Sequence, residues 1–174
     1  MDGIILYQSK YGASEIYARW LSEQTGFTCI ETKNARISAV LEYDIIILGG
    51  GIYASGISGL SFLKNNIDYL KEKKIIVFCV GASPYEEEAY NEIVKHNMKD
   101  ELSNIPCYYC RGIWDIKAMN LIDRSLCTML KKMVAKKDPK DCKAWERALM
   151  QTNDERSDWT DQKYLKPILD ELKR

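Results

Sequence analysis

Two apolar runs limit what this chain can fold into. Ile45-Ile46-Ile47-Leu48 and Ile75-Ile76-Val77-Phe78-Cys79-Val80 are continuous, with no alternation of polar and apolar residues. A strand with one wet face alternates. A strand that is apolar throughout is covered on both faces, as in a parallel sheet sandwiched between helices. Extending the same reading predicts five strands, over Ile4–Gln8, Phe27–Glu31, Tyr43–Gly49, Lys74–Gly81 and Pro106–Arg111.

Helical patterns separate these strands. Ile16, Trp20 and Leu21 mark one face, Leu60, Leu63, Ile67 and Leu70 a second, and Tyr90, Ile93 and Val94 a third. Ser83-Pro84-Tyr85-Glu86 has the form of a capping box with proline at the first helical position. Strands alternating with helices imply right-handed crossovers and a three-layer α/β fold with a five-stranded parallel sheet. The pattern changes after the fifth strand. Leu121, Ile122, Leu126, Met129, Leu130 and Met133 form an apolar stripe on a long helix. A charged stretch follows from Lys136 to Asp161, with a helical candidate near Trp145 and Leu149. Leu165, Ile168, Leu169 and Leu172 mark a last helix, in which Pro167 must sit in the first turns or cause a kink. The chain is thus read as one domain, 1–174, with a basic helical insertion, 117–160, before the final helix.

The first βα junction carries chemistry. Ile4-Ile5-Leu6 runs into Ser9-Lys10-Tyr11-Gly12-Ala13-Ser14, and a helical pattern starts at once. The unpaired N–H groups of a helix's first turn point into such a loop, and the helix dipole adds positive potential there. Ser9 and Ser14 add hydroxyls, and Gly12 permits close backbone approach. The arrangement suits a phosphate. With no Gly-Lys-Ser/Thr and no G-x-G-x-x-G, the loop is neither that of a nucleoside triphosphatase nor a dinucleotide fingerprint.

The charge balance of 25 basic and 25 acidic residues argues against general nucleic-acid binding, although Lys117 to Arg147 holds nine basic residues against four acidic ones. No apolar run approaches the ~20 residues of a membrane span, and no basic region precedes an apolar one at the N-terminus. The chain is therefore expected to be cytoplasmic. The six cysteines are read as free thiols, two of them in apolar strand runs. Cys107 and Cys110 are three apart on a strand, so their sulfurs point to opposite faces and cannot form a working dithiol. The single histidine, His96, has no cysteine or histidine partners at metal-ligand spacing, and no metal site is expected.

The loop Ser9 to Ser14 resembles the phosphate loop of flavodoxins, T/S-x-T-G-x-T/S, with Ser9, Gly12 and Ser14 in register and at the family's place after the first strand. Tyr11 stands where the family has a small hydroxyl residue, and the neutral net charge differs from the acidic balance of typical flavodoxins. The resemblance implies sheet order 2-1-3-4-5, FMN as cofactor, and a site where strands one and three diverge. Three loops would then hold the flavin: Ser9, Lys10, Tyr11, Gly12, Ala13 and Ser14 at its phosphate; Gly50, Gly51, Ile52, Tyr53 and Ala54 on one side of the ring; and Gly81, Ala82, Ser83 and Tyr85 on the other. Tyr53 and Tyr85 are candidates to stack on the ring. No catalytic acid, base or nucleophile is expected.

A receiver domain of the same fold needs an acidic residue where Gly49 and Gly50 stand, and a low-molecular-weight phosphatase needs a Cys-x5-Arg loop after strand one. Both are absent. The leading functional reading is a flavodoxin-type carrier of electrons between protein partners. One alternative is an FMN-dependent oxidoreductase, because the basic segment after the last strand also resembles the protoporphyrinogen oxidase branch of flavodoxin-like proteins. Such an enzyme would be menaquinone-dependent, or a quinone reductase. Another alternative is a non-redox binding module on the same fold. The 119–134 helix is read either as a core helix whose lysines suit its C-terminal dipole or as a docking element for an acidic partner or an anionic membrane surface supplying a quinone.

Overall fold

The computed structural model describes residues 2–152 and 156–174. In chain order the regular elements are β1 (Gly3–Gln8), α1 (Ala13–Thr25), β2 (Thr28–Glu31), α2 (Ile37–Val40), β3 (Ile45–Tyr53), β4 (Gly56–Ile57), α3 (Leu60–Leu70), β5 (Lys74–Gly81), α4 (Glu87–Asn97), β6 (Cys107–Arg111), β7 (Ile113–Trp114), α5 (Leu121–Val134), α6 (Ala144–Gln151), β8 (Ser157–Asp158) and α7 (Lys166–Leu172). Five parallel strands run side by side as β2-β1-β3-β5-β6, with β4 folded back antiparallel on the end of β3. Numbering the five long strands in sequence reproduces the expected order 2-1-3-4-5.

The apolar runs behave as their lack of alternation requires. Ile46, Leu48, Val77 and Cys79 face one layer, formed with Leu60, Leu63 and Leu70 of α3 and with Tyr90, Ile93 and Val94 of α4. Ile45, Ile47, Ile76, Phe78 and Val80 face the other, formed with Tyr17, Ala18 and Leu21 of α1 and with Leu165 and Ile168 near α7. This is the three-layer α/β, flavodoxin-like architecture. Pro167 lies in the first turn of α7, where its missing N–H has no helical partner to lose. Cys107 belongs to one layer and Cys110 to the other, as a separation of three on a strand dictates.

Three local expectations need correction. The third strand does not stop at Gly49 but continues to Tyr53, because β4 supplies it with a new partner, pairing Ile52 with Ile57 and Tyr53 with Gly56. The segment expected to be a glycine-rich loop is therefore a hairpin. The capping box at Ser83 is not formed. Helix α4 begins at Glu87 with Glu86 as its cap residue and no side-chain cap bond, because the Ser83 backbone is held by β6 instead. The apolar stripe of α5 is not core. Leu121, Ile122, Leu126, Met129 and Met133 are exposed, and the helix packs inward through Leu130 and Val134, in a separate small cluster with Cys142, Leu149, Trp114 and Trp145. Among the described residues, no helix is long and apolar enough to cross a membrane.

Candidate functional site

The carboxyl ends of β1, β3 and β5 finish together, with Gln8 beside Gly50 and Gly51 beside Val80. The loops they emit share one end of the sheet.

After β1, Gly12 caps α1 in the left-handed region at φ 92°, and a side chain added there would meet nothing within 4 Å. The Ser9 hydroxyl accepts the Gly12 N–H at 3.1 Å, which holds the loop in a tight turn. Among the described residues, no side chain accepts from the N–H groups of Ala13, Ser14 or Glu15, so the helix's first turn keeps its donors for an anion. The Ser14 side chain is itself covered. Above the loop stands Asp123, from the first turn of α5, whose carboxylate takes both the Lys10 ammonium and the Tyr11 hydroxyl. These two hydrogen bonds, that of Lys10 first, hold the Asp123 carboxyl below its usual range. Lys10 also lies 5.6 Å from the centre of the Tyr11 ring and 5.5 Å from that of Tyr53.

The second wall is the β3–β4 hairpin. Its turn is Ala54-Ser55, at φ 46° and 66°, the left-handed pair that a two-residue hairpin uses. The glycines before it are required by the protein's own packing. A side chain at Gly49 would strike the Phe78 ring at 1.9 Å, one at Gly50 the Ser58 carbonyl oxygen at 1.9 Å, and one at Gly51 the Tyr53 ring at 2.7 Å. Tyr53 leans edge-on against Tyr11, with centroids 6.2 Å apart. Behind the turn, buried Asn97 holds the hairpin to α4. Its amide donates to the carbonyls of Ser55 at 2.6 Å and Ile93 at 2.9 Å, and its oxygen accepts from Ile57 N–H at 2.9 Å.

The third wall follows β5. Each carbonyl from Gly81 to Ser83 is engaged by β6 or its exit. Gly112 N–H donates to Gly81 at 2.8 Å, Arg111 Nε to Ala82 at 3.1 Å, and the Tyr109 hydroxyl to Ser83. With the carbonyls tied back, the N–H groups of Ala82, Ser83 and Tyr85 have no acceptor among the described residues. Burial pushes the Tyr109 hydroxyl well above its usual range, so it stays a donor. The Tyr85 ring is tilted against those of Tyr90 and Tyr109.

A cavity of about 370 Å³ opens between the second and third walls. It gathers Ile52, Gly81, Ala82, Ser83 and Tyr85 of the expected residues and adds Ser55, Tyr109, Leu130 and Trp145. The phosphate loop and Gly50, Gly51, Tyr53 and Ala54 lie outside its lining. Gly112 joins the loop to the third wall, since a side chain there would come within 3.2 Å of Ala13 Cβ while its N–H bonds Gly81. The residues that sequence reasoning missed are Asp123, Asn97, Tyr109 and Arg111. They come from distant elements, and nothing in their local pattern places them here. Among the described residues no group of acidic, cysteine and histidine side chains could hold a metal.

The sequence matches the family described as "Flavodoxin domain" over residues 4–142. No curated protein matches it. Among solved structures it is similar to a flavodoxin, WrbA-like protein from Agrobacterium tumefaciens, at 15% identity over 71% of this chain and 87% of that one, with a TM-score of 0.46. It is similar to a two-electron reduced flavodoxin from Megasphaera elsdenii, at 19% identity over 62% and 82%, with a TM-score of 0.45. It is also similar to a flavoprotein in complex with FMN from Lactobacillus acidophilus NCFM, at 13% identity over 63% and 91%, with a TM-score of 0.43. Likenesses this distant carry no argument about the site.

Proposed function

Because the chain belongs to the flavodoxin family, we propose that it binds FMN and carries electrons between protein partners. The observation that supports this reading is that the untaken first-turn N–H groups of α1 and the cavity between the hairpin and the Gly81–Tyr85 loop lie at the same end of the sheet, linked through Gly112. The first-turn N–H groups of Ala13, Ser14 and Glu15, with Ser9 and Lys10, would hold the phosphate. Ile52 and Ser55 on one side and Tyr85 on the other would flank the ring. The untaken N–H groups of Ala82, Ser83 and Tyr85 are donors for its carbonyl edge. FMN would supply one- and two-electron transfer at the ring, and the protein its position and electrostatics.

The exposed apolar stripe of α5 borders the site through Leu130 and Asp123, and gives a redox partner a surface to dock on. The oxidoreductase reading has one observation of its own, a second cavity that shares a wall with the first. Cofactor released by heat from purified protein is expected to chromatograph as FMN. Recovery of FAD, or failure of the apoprotein to take up either flavin, would overturn the proposal.

A further inference from the structure

The insertion after β6 closes a second cavity over the Gly81–Ser83 loop. It measures about 150 Å³, and three of the chain's four tryptophans, Trp114, Trp145 and Trp159, stand in its walls. Ala82, Ser83, Leu130 and Trp145 line both cavities, so the two share a wall. The β7–β8 pairing of Trp114 with Ser157, and the bond from Trp159 N–H to the Gly112 carbonyl at 3.2 Å, hold two of the indoles in place.

Arg111 is the one charged residue in the lining. Its guanidinium lies 4.1 Å from the centre of the Trp159 ring, and its Nε is spent on the Ala82 carbonyl. No carboxylate of the described residues lies within ion-pair distance of it, whereas the neighbouring Arg156 is paired with Asp115 and Asp158. The indole N–H of Trp114 is also buried with no acceptor among the described residues. A half-buried cation with no counter-ion among the described residues, set among flat apolar faces, is an electrostatic deficit that an anionic ligand would correct. Guanidinium nitrogens match a carboxylate in geometry, and indole faces favour a flat ring. The volume is below the ~300 Å³ at which pockets for larger ligands begin, which sets the ligand at a single ring.

We propose that this cavity binds a small aromatic carboxylate, its ring between the indoles and its carboxylate on Arg111. That such a ligand would lie beside a flavin rests on the function proposed above; its binding does not.

The test is a titration of ¹⁵N-labelled, FMN-loaded protein with benzoate, following the four tryptophan indole signals. Benzoate should move those of Trp114, Trp145 and Trp159 and leave Trp20, on α1, in place. Benzamide, without the charge, and cyclohexanecarboxylate, without the flat ring, should each bind at least about tenfold more weakly. Arg111→Gln should weaken benzoate about tenfold. Because Arg111 also ties the Ala82 loop, Ala148→Phe provides an independent variant. Ala148 lines only this cavity, and filling it should abolish benzoate binding while FMN affinity is unchanged. Absence of any indole shift up to about 10 mM benzoate, equal binding of either control compound, or competition between benzoate and FMN would overturn the proposal. Benzoate binding by a protein that takes no flavin would instead leave the cavity assignment standing and remove the flavin reading.

Discussion

At the residue scale, Asp123 is the unexpected group. On the function proposed above, this carboxylate occupies the lysine and tyrosine that a phosphate would want, and adds like charge beside it. Asp123→Asn keeps an acceptor for Tyr11 and removes the charge. FMN affinity of the apoprotein, read by quenching of flavin fluorescence, is expected to rise about fivefold, a gain of ~1 kcal/mol. A fall in affinity would mean that Asp123 orders the loop rather than competing for it. Asn97 works in the opposite sense. Replaced by leucine, it would leave the Ile57 N–H and the Ser55 carbonyl without partners behind the hairpin. The cost in urea unfolding is expected to be about 2–3 kcal/mol, and flavin binding should weaken as one wall of the cavity loosens. An unchanged midpoint would show that water replaces the amide.

At the scale of elements, α5 and α6 stand on a small cluster of their own, and one covered carboxylate braces the turn between them. Glu146 is 3% exposed. It pairs with Lys137 Nζ at 2.6 Å and accepts the Lys143 N–H at 2.8 Å. These contacts, that of Lys137 first, hold its carboxyl below the ordinary value of 4.5. A group whose folded value is depressed stabilises the fold fully above its unfolded value, and that contribution is lost as pH falls through the folded one. Tryptophan fluorescence is therefore expected to stay constant from neutral pH down to about 4.5 and to change below it as the α5–α6 pair loosens. Glu146→Gln should remove this step. A transition near neutral pH would point to a different group.

At the scale of the whole molecule, charge and apolar surface are segregated. Nine of the 25 basic residues lie between Lys117 and Arg147, the segment that also carries the exposed stripe Ile122, Leu126, Met129 and Met133. Spacings of four, three and four place that stripe on one side of α5. On the carrier function proposed above, an acidic redox protein with an apolar patch would be the partner. Met129→Glu together with Met133→Glu is expected to slow electron transfer from a partner flavoprotein at least tenfold, while chemical reduction by dithionite is unaffected. Raising salt should slow the unmodified protein as well. Equal rates for both proteins, with salt-sensitive binding to anionic but not neutral vesicles, would assign the surface to a membrane instead.

The sequence by itself determined the sheet. Ile45–Leu48 and Ile75–Val80 are short and rich in β-branched residues, as strands covered on both faces are, and the order of strands and helices then restricts the topology. It also placed the turn before α1, where Gly12 caps the helix, since a helix N-terminus is a local feature of consecutive residues. What only the tertiary structure decided is whatever joins distant segments. Gly49, Gly50 and Gly51 read as freedom for a ligand, yet their missing side chains make room for Phe78, Ser58 and Tyr53. The stripe of α5 read more readily as core than as docking surface, yet the helix packs through Leu130 and Val134 and leaves the rest of the stripe exposed. Local periodicity reports that a helix has an apolar face. Which neighbour covers that face, or none, is a property of the assembled chain.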